Sequence, residues 1–230
     1  MVKTILNDLI NLFYPKTCLC CDESLVRGEE LICFKCLYRL PRTNFHFQPE
    51  NIVEQMFWGK IMVSNATSFC YYHREGILQK LILKLKYQGF KELGYVLGYE
   101  FGLDLKNSIF NEIDLIIPIP LHPKRQKKRG YNQSEWICKG LSKAIERPLD
   151  IQSVLRTTSN TTQTKKGRFA RWENVENIFS VANPQNITGK HILLVDDVIT
   201  TGSTIEACAQ KILEVENTKV SIATIGVAAN

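Results

Sequence analysis

The sequence has no long hydrophobic run. Within its 230 residues, no stretch approaches the roughly 20 consecutive apolar residues that a membrane-spanning helix requires, so we expect no membrane span. The first 15 residues have an apolar face, but polar residues interrupt it and no small-residue cleavage site follows, so we do not predict a secretory signal peptide. Internal repeats and low-complexity tracts are also absent, which argues against a repeat protein or a flexible linker.

Those first residues have the spacing of an amphipathic helix that Pro15 would end. The apolar positions are Val2, Ile5, Leu6, Leu9, Ile10 and Phe13. Such a face can lie on a membrane surface or pack against a neighbouring part of the protein, and we favour packing.

Acidic residues are the minority among the charges, with 23 against 29 lysines and arginines, so the net charge is +6. A positive balance suits an anionic ligand such as a phosphosugar or a nucleic acid. The excess is modest, however, and charge alone does not identify the ligand. The length allows one ordinary domain with a small appendage.

No secretion signal accompanies the eight cysteines, which favours a reducing compartment over disulfide bonds. Cys70, Cys138 and Cys208 are scattered in apolar stretches, and we expect them to be small buried side chains of a cytoplasmic protein. The other five crowd into one short segment and are Cys18, Cys20, Cys21, Cys33 and Cys36.

This segment contains two C-x2-C pairs, and each pair can hold one side of a tetrahedral metal ion. Gly28 supplies a bend between them. We predict a structural Zn²⁺ bound by Cys18, Cys21, Cys33 and Cys36, with Cys20 as a competitor for Cys18. Four thiolates leave no position open for a substrate, so the ion would stabilise a segment too small for its own core. A disulfide pair is the alternative.

The stretch HILLVDDVITTGST carries the strongest indication of function. Residues 192–195 are an unbroken apolar run typical of a strand buried on both faces of a parallel sheet. Asp196 and Asp197 follow, then a hydroxyl- and glycine-rich loop, and then a helical pattern that begins at Ile205. Backbone N–H groups at such a turn, together with the positive end of a helix, form a cradle for phosphate.

The two aspartates indicate which kind of phosphorylated ligand would bind here. Carboxylates repel phosphate, but they suit the hydroxyl groups of a sugar or the waters of a bound Mg²⁺. The lysine that follows the last glycine in nucleoside triphosphate loops is absent. A phosphorylated sugar therefore fits the stretch better than a nucleoside triphosphate does.

Other elements follow from periodicity. Strands are predicted over residues 66–72, 114–120, 178–181 and 220–227, and helices over 76–86, 93–105 and from Asn132 to Ile145. Residues 124–129 are a run of cations at the end of the second strand and are interpreted as a basic loop. The aromatic residues of the connector 37–60 are predicted to bury the cysteine segment against the main domain, with base stacking as the alternative. They are Phe45, Phe47, Phe57 and Trp58.

The sequence VDDVITTGST resembles the phosphoribosyl pyrophosphate (PRPP) motif of type I phosphoribosyltransferases. The resemblance implies an α/β fold with a mostly parallel sheet flanked by helices. It also implies that Asp196 and Asp197 face the ribose hydroxyls and that Mg²⁺ accompanies the pyrophosphate. The remaining PRPP-binding residues of this motif would be Val198, Thr200, Thr201, Gly202, Ser203 and Thr204.

Residues 120–133 match the pattern P-L-H-P-x-R-x3-R-G-[FY]-N-Q, and the chain is similar to the ComF family in this and other elements. The resemblance implies that Arg125 and Arg129 neutralise the departing pyrophosphate and that Lys86 belongs to the PRPP site. It also implies a hood loop that closes over PRPP, with Gln163, Arg171 and Asn174 as its residues. We place the cysteine segment and its connector in residues 1–58 and the transferase-like domain in 59–230.

ComF-like proteins are associated with natural transformation, the uptake of single-stranded DNA and its processing in the cytoplasm. The resemblance therefore implies a PRPP-binding, phosphoribosyltransferase-like protein that has single-stranded DNA and the DNA-uptake machinery as partners. Its candidate catalytic residues are Arg125, Arg129, Asp196 and Asp197. The alternative is an active phosphoribosyltransferase of nucleotide or small-molecule metabolism with no DNA role, and the sequence identifies no acceptor pocket to decide between them.

Overall fold

The computed structural model describes residues 15–156 and 178–228. Its strands are β1 (Ala66–Tyr72), β2 (Leu115–Pro118), β3 (Val154–Arg156), β4 (Phe179–Val181), β5 (His191–Ile199) and β6 (Lys219–Ala228). Its α-helices are α1 (Phe34–Tyr38), α2 (Ile52–Gln55), α3 (Ile77–Tyr87), α4 (Glu92–Leu105), α5 (Pro123–Arg129), α6 (Gln133–Ile145) and α7 (Ser203–Leu213). Short 3₁₀ turns cover Phe45–Phe47, Ile109–Glu112 and Pro184–Asn186.

Four strands form one parallel sheet in the order β1-β6-β5-β2. Successive side chains of β5 enter opposite layers, because side chains alternate across a strand. Leu193 and Val195 belong to one core layer, while Ile192 and Leu194 belong to the other. Helices therefore cover both faces, which confirms the predicted fold class and places the ends of β2 and β5 at one edge, where such sheets bind ligands.

The helices α4 and α6 pack very closely on one face of this sheet. A Cβ at Gly98 would lie 2.1 Å from the carbonyl oxygen of Ile137, and a Cβ at Gly140 would lie 2.1 Å from that of Tyr95. Glycine is therefore required where the two backbones meet. This contact fixes the N-terminal end of α6 beside the sheet, next to the end of β5.

The segment that follows the cysteines is joined to the edge of the sheet. The guanidinium of Arg42 donates to both carboxylate oxygens of Asp104 on α4, at 2.9 and 2.8 Å. The N–H of Thr43 donates to the carbonyl of Phe69 at 3.0 Å, and the N–H of Tyr71 donates to that of Pro41 at 2.8 Å. Residues 41–43 thus lie antiparallel to β1. The boundary between residues 58 and 59 stays a prediction.

The connector aromatics divide into two pairs. Phe45 and Phe57 are buried in the core layer that also contains the interior of α7, as the prediction requires. Phe47 and Trp58 are exposed, so the prediction was wrong for them. Burial of the first pair attaches the connector to the part of the sheet that carries the PRPP-like motif.

Three elements differ from their predicted form. The strand predicted over 192–195 continues to Ile199, because β6 pairs with it as far as Val227. Residues 124–129 are helical rather than a loop, since His122 and Pro123 begin a helix that Gly130 ends. Residues 178–181 do not join the main sheet; β4 pairs instead with β3 in an antiparallel ribbon.

No helix in the described ranges is long and apolar enough to cross a membrane. The helix predicted in the first 14 residues and the hood residues Gln163, Arg171 and Asn174 lie outside the described residues.

Candidate phosphosugar site and metal centre

Asp197 meets Lys86 at the edge of the sheet. Asp197 lies near the end of β5 and is 8 % exposed. Lys86 is in the last turn of α3, and its Nζ lies 2.8 Å from Oδ1 of Asp197. Burial of an unpaired carboxylate costs free energy, and the ion pair with Lys86 offsets that cost for Asp197. The lysine carried over from the family pattern is therefore in contact with the acidic pair.

Asp196 is held from the other side of the strand by α6. Its Oδ1 accepts hydrogen bonds from the hydroxyl of Ser134 at 2.9 Å and from the N–H of Asp197 at 2.8 Å. Burial, and next the negative charge of Asp197, raise the pKa of Asp196 to about 7 despite these donors. Without a ligand, the site therefore holds a carboxyl group that titrates near neutrality.

The loop of residues 200–204, here called the phosphate loop, leads into α7. Gly202 caps the helix in the left-handed conformation with φ of 79°. Among the described residues, no backbone N–H of this loop donates to a backbone carbonyl outside the regular elements. The hydroxyls of Thr201 and Ser203 lie 3.1 Å apart at the same turn. Free N–H groups, two hydroxyls and a helix N-terminus together favour an anion here.

The phosphate loop rests on the connector. A Cβ on Gly202 would lie 3.2 Å from Cε1 of Phe57, whose side chain is fully buried. We expect Gly202→Ala to lower the free energy of unfolding by about 1–2 kcal/mol, because it adds left-handed strain and this contact. Thermal unfolding measures the loss.

Gly189→Ala is the matched control for this change. Gly189 has φ of 71°, and a Cβ there would meet nothing within 4 Å. Both variants place alanine in the left-handed backbone region, which is unfavourable for it. Only the new Cβ of Gly202→Ala would contact Phe57 and so shift the backbone N–H groups of the phosphate loop. If the two variants lose equal stability and bind phosphate compounds equally, Phe57 does not set the geometry of the loop.

A cavity of about 480 Å³ opens beside Lys86. It is lined by Lys86, Tyr87, Gly89, Arg125, Lys128, Arg129 and Tyr131. Arg129 donates to Oε1 of Gln133 at 2.7 Å, and its guanidinium carbon lies 5.2 Å from the ring centroid of Tyr87. The hydroxyl of Tyr131 donates to the carbonyl of Leu85. The cavity thus presents four cations and two aromatic rings next to the acidic pair.

Arg156, at the end of β3, also faces this region. Its Nε is buried without a hydrogen-bond partner among the described residues, and its guanidinium carbon lies 5.2 Å from the ring centroid of Phe179. Burial lowers the pKa of Arg156, the charge of Arg125 lowers it further, and Asp196 opposes them. Arg156 is not among the site residues predicted from the sequence.

The raised pKa of Asp196 predicts a pH dependence of stability. A group with a folded pKa above its unfolded value contributes stability at low pH and loses it as pH rises through the folded pKa. The ligand-free protein should lose the Asp196 contribution between about pH 4 and pH 7. We therefore expect Asp196→Asn to raise Tm relative to the wild type more at pH 8 than at pH 5. A constant Tm difference across that range would contradict the assigned pKa.

The four predicted ligand cysteines lie together at the other end of the chain. The sulfur atoms of Cys18, Cys21, Cys33 and Cys36 are all within 4.8 Å of one another. The ideal sulfur–sulfur distance around tetrahedral Zn²⁺ is about 3.8 Å, given Zn–S bonds of about 2.3 Å. Cys21 and Cys33 are already 3.7 Å apart. The cluster therefore needs only small shifts to hold such an ion.

Backbone donors prepare Cys18 for metal binding. The N–H groups of Cys33 and Cys20 donate to its sulfur at 3.3 and 3.4 Å. Burial opposes the thiolate, but the backbone donors outweigh it and lower the pKa of Cys18 to about 7. Burial raises the pKa of Cys36, as do the neighbouring sulfurs, so a metal ion would displace its proton on binding.

The structure thus brings most of the predicted site residues to two places. Lys86, Asp196, Asp197 and the phosphate loop meet at the end of β5, with Arg125 and Arg129 lining the cavity beside them. Val198 lies within β5 and packs against a core layer. Sequence reasoning missed Ser134, because a lone serine in a helix has no motif. It also missed the two tyrosines of the cavity.

Comparison with known proteins agrees with this geometry. Residues 125–228 match the family model described as phosphoribosyl transferase domain. The chain is 39% identical over 100 residues to DNA utilization protein YhgH of Shigella flexneri, a match that covers 44% of this chain and 43% of that protein. Competence protein F of Haemophilus influenzae is 39% identical over 95 residues, which cover 40% of this chain and 41% of that protein.

A longer match links the N-terminal part as well. Competence protein ComFC of Bacillus subtilis is 23% identical over 223 residues, which cover 86% of this chain and 88% of that protein. With the first relatives, by contrast, the match spans less than half of their length. The parallel sheet and the domain match show that the chain has the type I phosphoribosyltransferase fold, and in sequence the chain is similar to these proteins of the ComF family.

Proposed function

We propose that the chain binds PRPP at the end of β5 and acts in the handling of single-stranded DNA in the cytoplasm. The observation that supports the PRPP site most directly is the pairing of two features at one strand end. Two carboxyl groups lie directly before a turn whose backbone N–H groups have no backbone acceptor in the described residues. A ligand with sugar hydroxyls and a terminal phosphate satisfies both.

Each group of the site then has a role. The free oxygens of Asp196 and Asp197 accept hydrogen bonds from the ribose hydroxyls, and the phosphate loop holds the 5′-phosphate through its N–H groups and hydroxyls. Arg125 and Arg129 neutralise the pyrophosphate group of bound PRPP. Lys86 pairs with Asp197 and lies between the acidic pair and the cavity.

The residues present also fit a Mg²⁺ ion that arrives with PRPP. Within the described residues, Oδ2 of neither aspartate has a hydrogen-bond donor, and carboxylate oxygens or their waters are what Mg²⁺ prefers. The ion would neutralise pyrophosphate charge when bound. Its positive charge would also favour the ionised form of Asp196, whose pKa is raised in the free protein.

The cysteine cluster fits a structural Zn²⁺ bound by Cys18, Cys21, Cys33 and Cys36. Four mutually close sulfurs, three of them buried, leave no open coordination position. Only one five-residue helix, α1, lies in the described chain before residue 41, so the metal would supply the order that this segment lacks in secondary structure.

The DNA role rests on two supports. Relatives named for competence and for DNA utilization match the chain. The cavity beside the acidic pair combines four cations with two tyrosine rings, and single-stranded nucleic acid is bound by cations that contact phosphates and by aromatic rings that stack on bases. The same relatives support the proposal that components of the DNA-uptake machinery are partners.

Calorimetric titration of PRPP into the protein with Mg²⁺ tests the proposal, together with an assay of pyrophosphate release in the presence of candidate acceptors. We expect saturable PRPP binding that ribose 5-phosphate competes for. Turnover with a small acceptor and no affinity for DNA at low salt would instead establish a metabolic phosphoribosyltransferase. Absence of PRPP binding would refute the proposed site.

A further inference from the structure

We propose that the outer face of α4 and α6 binds single-stranded DNA that extends from the basic cavity, an inference that rests on the DNA part of the proposed function. This face, here called the aromatic stripe, consists of Lys91, Tyr95, Tyr99, Trp136 and Lys139. The juxtaposition of cations with aromatic rings on one continuous surface carries the argument.

Trp136 lies between two lysines. The Nζ of Lys91 is 4.9 Å from its ring centroid, and the Nζ of Lys139 is 4.5 Å away. The N-terminal end of α4 passes directly beside it, since a Cβ on Gly94 would lie 3.0 Å from the Cβ of Trp136. Both cations are attracted to the ring face. Lys139 is paired with Glu135 at 2.7 Å, whereas Lys91 has no salt bridge in the described residues and is available to a phosphate.

Two tyrosines continue this surface along α4. Lys91, Tyr95 and Tyr99 are spaced four residues apart, so they share one face of the helix over about 12 Å. The rings of Tyr95 and Tyr99 are nearly parallel, with an interplanar angle of 14° and centroids 6.3 Å apart. Both are more than one-third exposed. They form a pair of parallel, partly exposed rings on the surface of α4.

The stripe is continuous with the cavity. Tyr87 and Gly89 line the cavity, and Lys91 follows two residues later at the start of α4. On the cavity side, Arg129 lies against the ring of Tyr87 just as Lys91 lies against that of Trp136. A strand could therefore follow alternating cations and rings from the PRPP site outward.

Charge favours an anionic partner over a neutral protein surface, and the exposed rings favour nucleic acid among anionic partners. Lys128, Arg129 and Lys91 carry no salt bridge in the described residues, and Glu135, the acid on α6, is already paired with Lys139 at 2.7 Å. Glu92 is the remaining acid at the start of α4. Unpaired cations next to exposed rings match the two requirements of single-stranded binding, which are phosphate neutralisation and base stacking.

The test is fluorescence anisotropy with an oligo(dT) probe at low salt, comparing the full chain with the double variant Tyr95→Ser, Tyr99→Ser. We expect at least a tenfold rise in Kd, because loss of each stacking ring weakens single-stranded binding substantially. The control is Tyr38→Ser with Trp58→Ser, which removes two exposed rings elsewhere and should leave Kd within about twofold. PRPP affinity and Tm are measured on all three proteins and should not change.

Each other outcome is decisive. If the wild type binds the probe and the stripe variant binds it equally well, the inference fails while the proposed PRPP site stands. If only the control variant loses affinity, the DNA surface is the cysteine segment and connector. If the stripe variant changes only the oligomeric state, the face is a protein interface. Lack of probe binding by the wild type overturns both the stripe and the DNA role.

Discussion

Replacing both aspartates, Asp196→Asn with Asp197→Asn, is expected to weaken PRPP binding at least a hundredfold while the protein stays folded. An amide side chain can still accept from a ribose hydroxyl, but it cannot attract Mg²⁺ or accept two strong charge-assisted bonds. Each such bond contributes roughly 1.5–3 kcal/mol, so the loss of several accounts for the expected factor.

Stability should change little, because the two substitutions act in opposite directions. Asp196→Asn removes a buried carboxyl that sits beside another negative charge, whereas Asp197→Asn leaves Lys86 without its 2.8 Å partner. Calorimetry measures PRPP affinity, and circular dichroism measures Tm. The matched control is Glu50→Gln with Glu75→Gln, which changes the net charge equally at two exposed positions. Unchanged PRPP affinity in the aspartate variant would disprove the site.

Loss of a cysteine ligand is expected to have the largest effect on stability. If the cluster binds Zn²⁺ as proposed, Cys36→Ser should abolish metal binding and lower the free energy of unfolding by at least about 3 kcal/mol, since the metal would order a segment whose described part has one short helix. Elemental analysis measures the metal, and thermal unfolding with limited proteolysis measures the loss of order. Chelation of the wild type should reproduce the same changes.

Two other cysteines separate ligand loss from a general effect of substitution. Cys138→Ala removes a fully buried thiol outside the cluster and should keep the metal. Cys20→Ser replaces the residue that could compete with Cys18 as a ligand, and this variant should also keep the metal. If Cys20→Ser loses Zn²⁺ and Cys18→Ser retains it, the ligand set is wrong by one residue.

Periodicity and spacing predicted the elements in which the sequence repeats a physical pattern. The buried strand β5 shows as an unbroken apolar run, and the C-x2-C spacing predicted a group of four cysteines whose sulfur atoms do lie within 4.8 Å of one another. The helix α5 was missed because its sequence, PKRQKKR, has no apolar face for periodicity to reveal. Its signals were local ones, a His122 cap, Pro123 in the first turn and Gly130 at the end.

Contacts between residues far apart in the sequence could not be predicted, because periodicity and motif spacing give no information about them. Ser134 reaches Asp196 across 62 residues, and only the close packing of α6 against α4 brings it there. The pairing of β4 with β3 rather than with the main sheet could not be predicted either. A three-residue strand has too few residues for its hydrophobic pattern to specify which strand it pairs with.

The antiparallel pairing of residues 41–43 with β1 has a consequence for solubility. β1 is the outermost strand of its sheet, and the neighbouring chain segment occupies its free hydrogen-bonding groups. The unpaired backbone groups of an exposed edge strand can hydrogen-bond to other polypeptide chains and so promote aggregation. Metal starvation, by loosening the segment that leads into residues 41–43, is therefore expected to make this protein precipitate before the sheet itself unfolds.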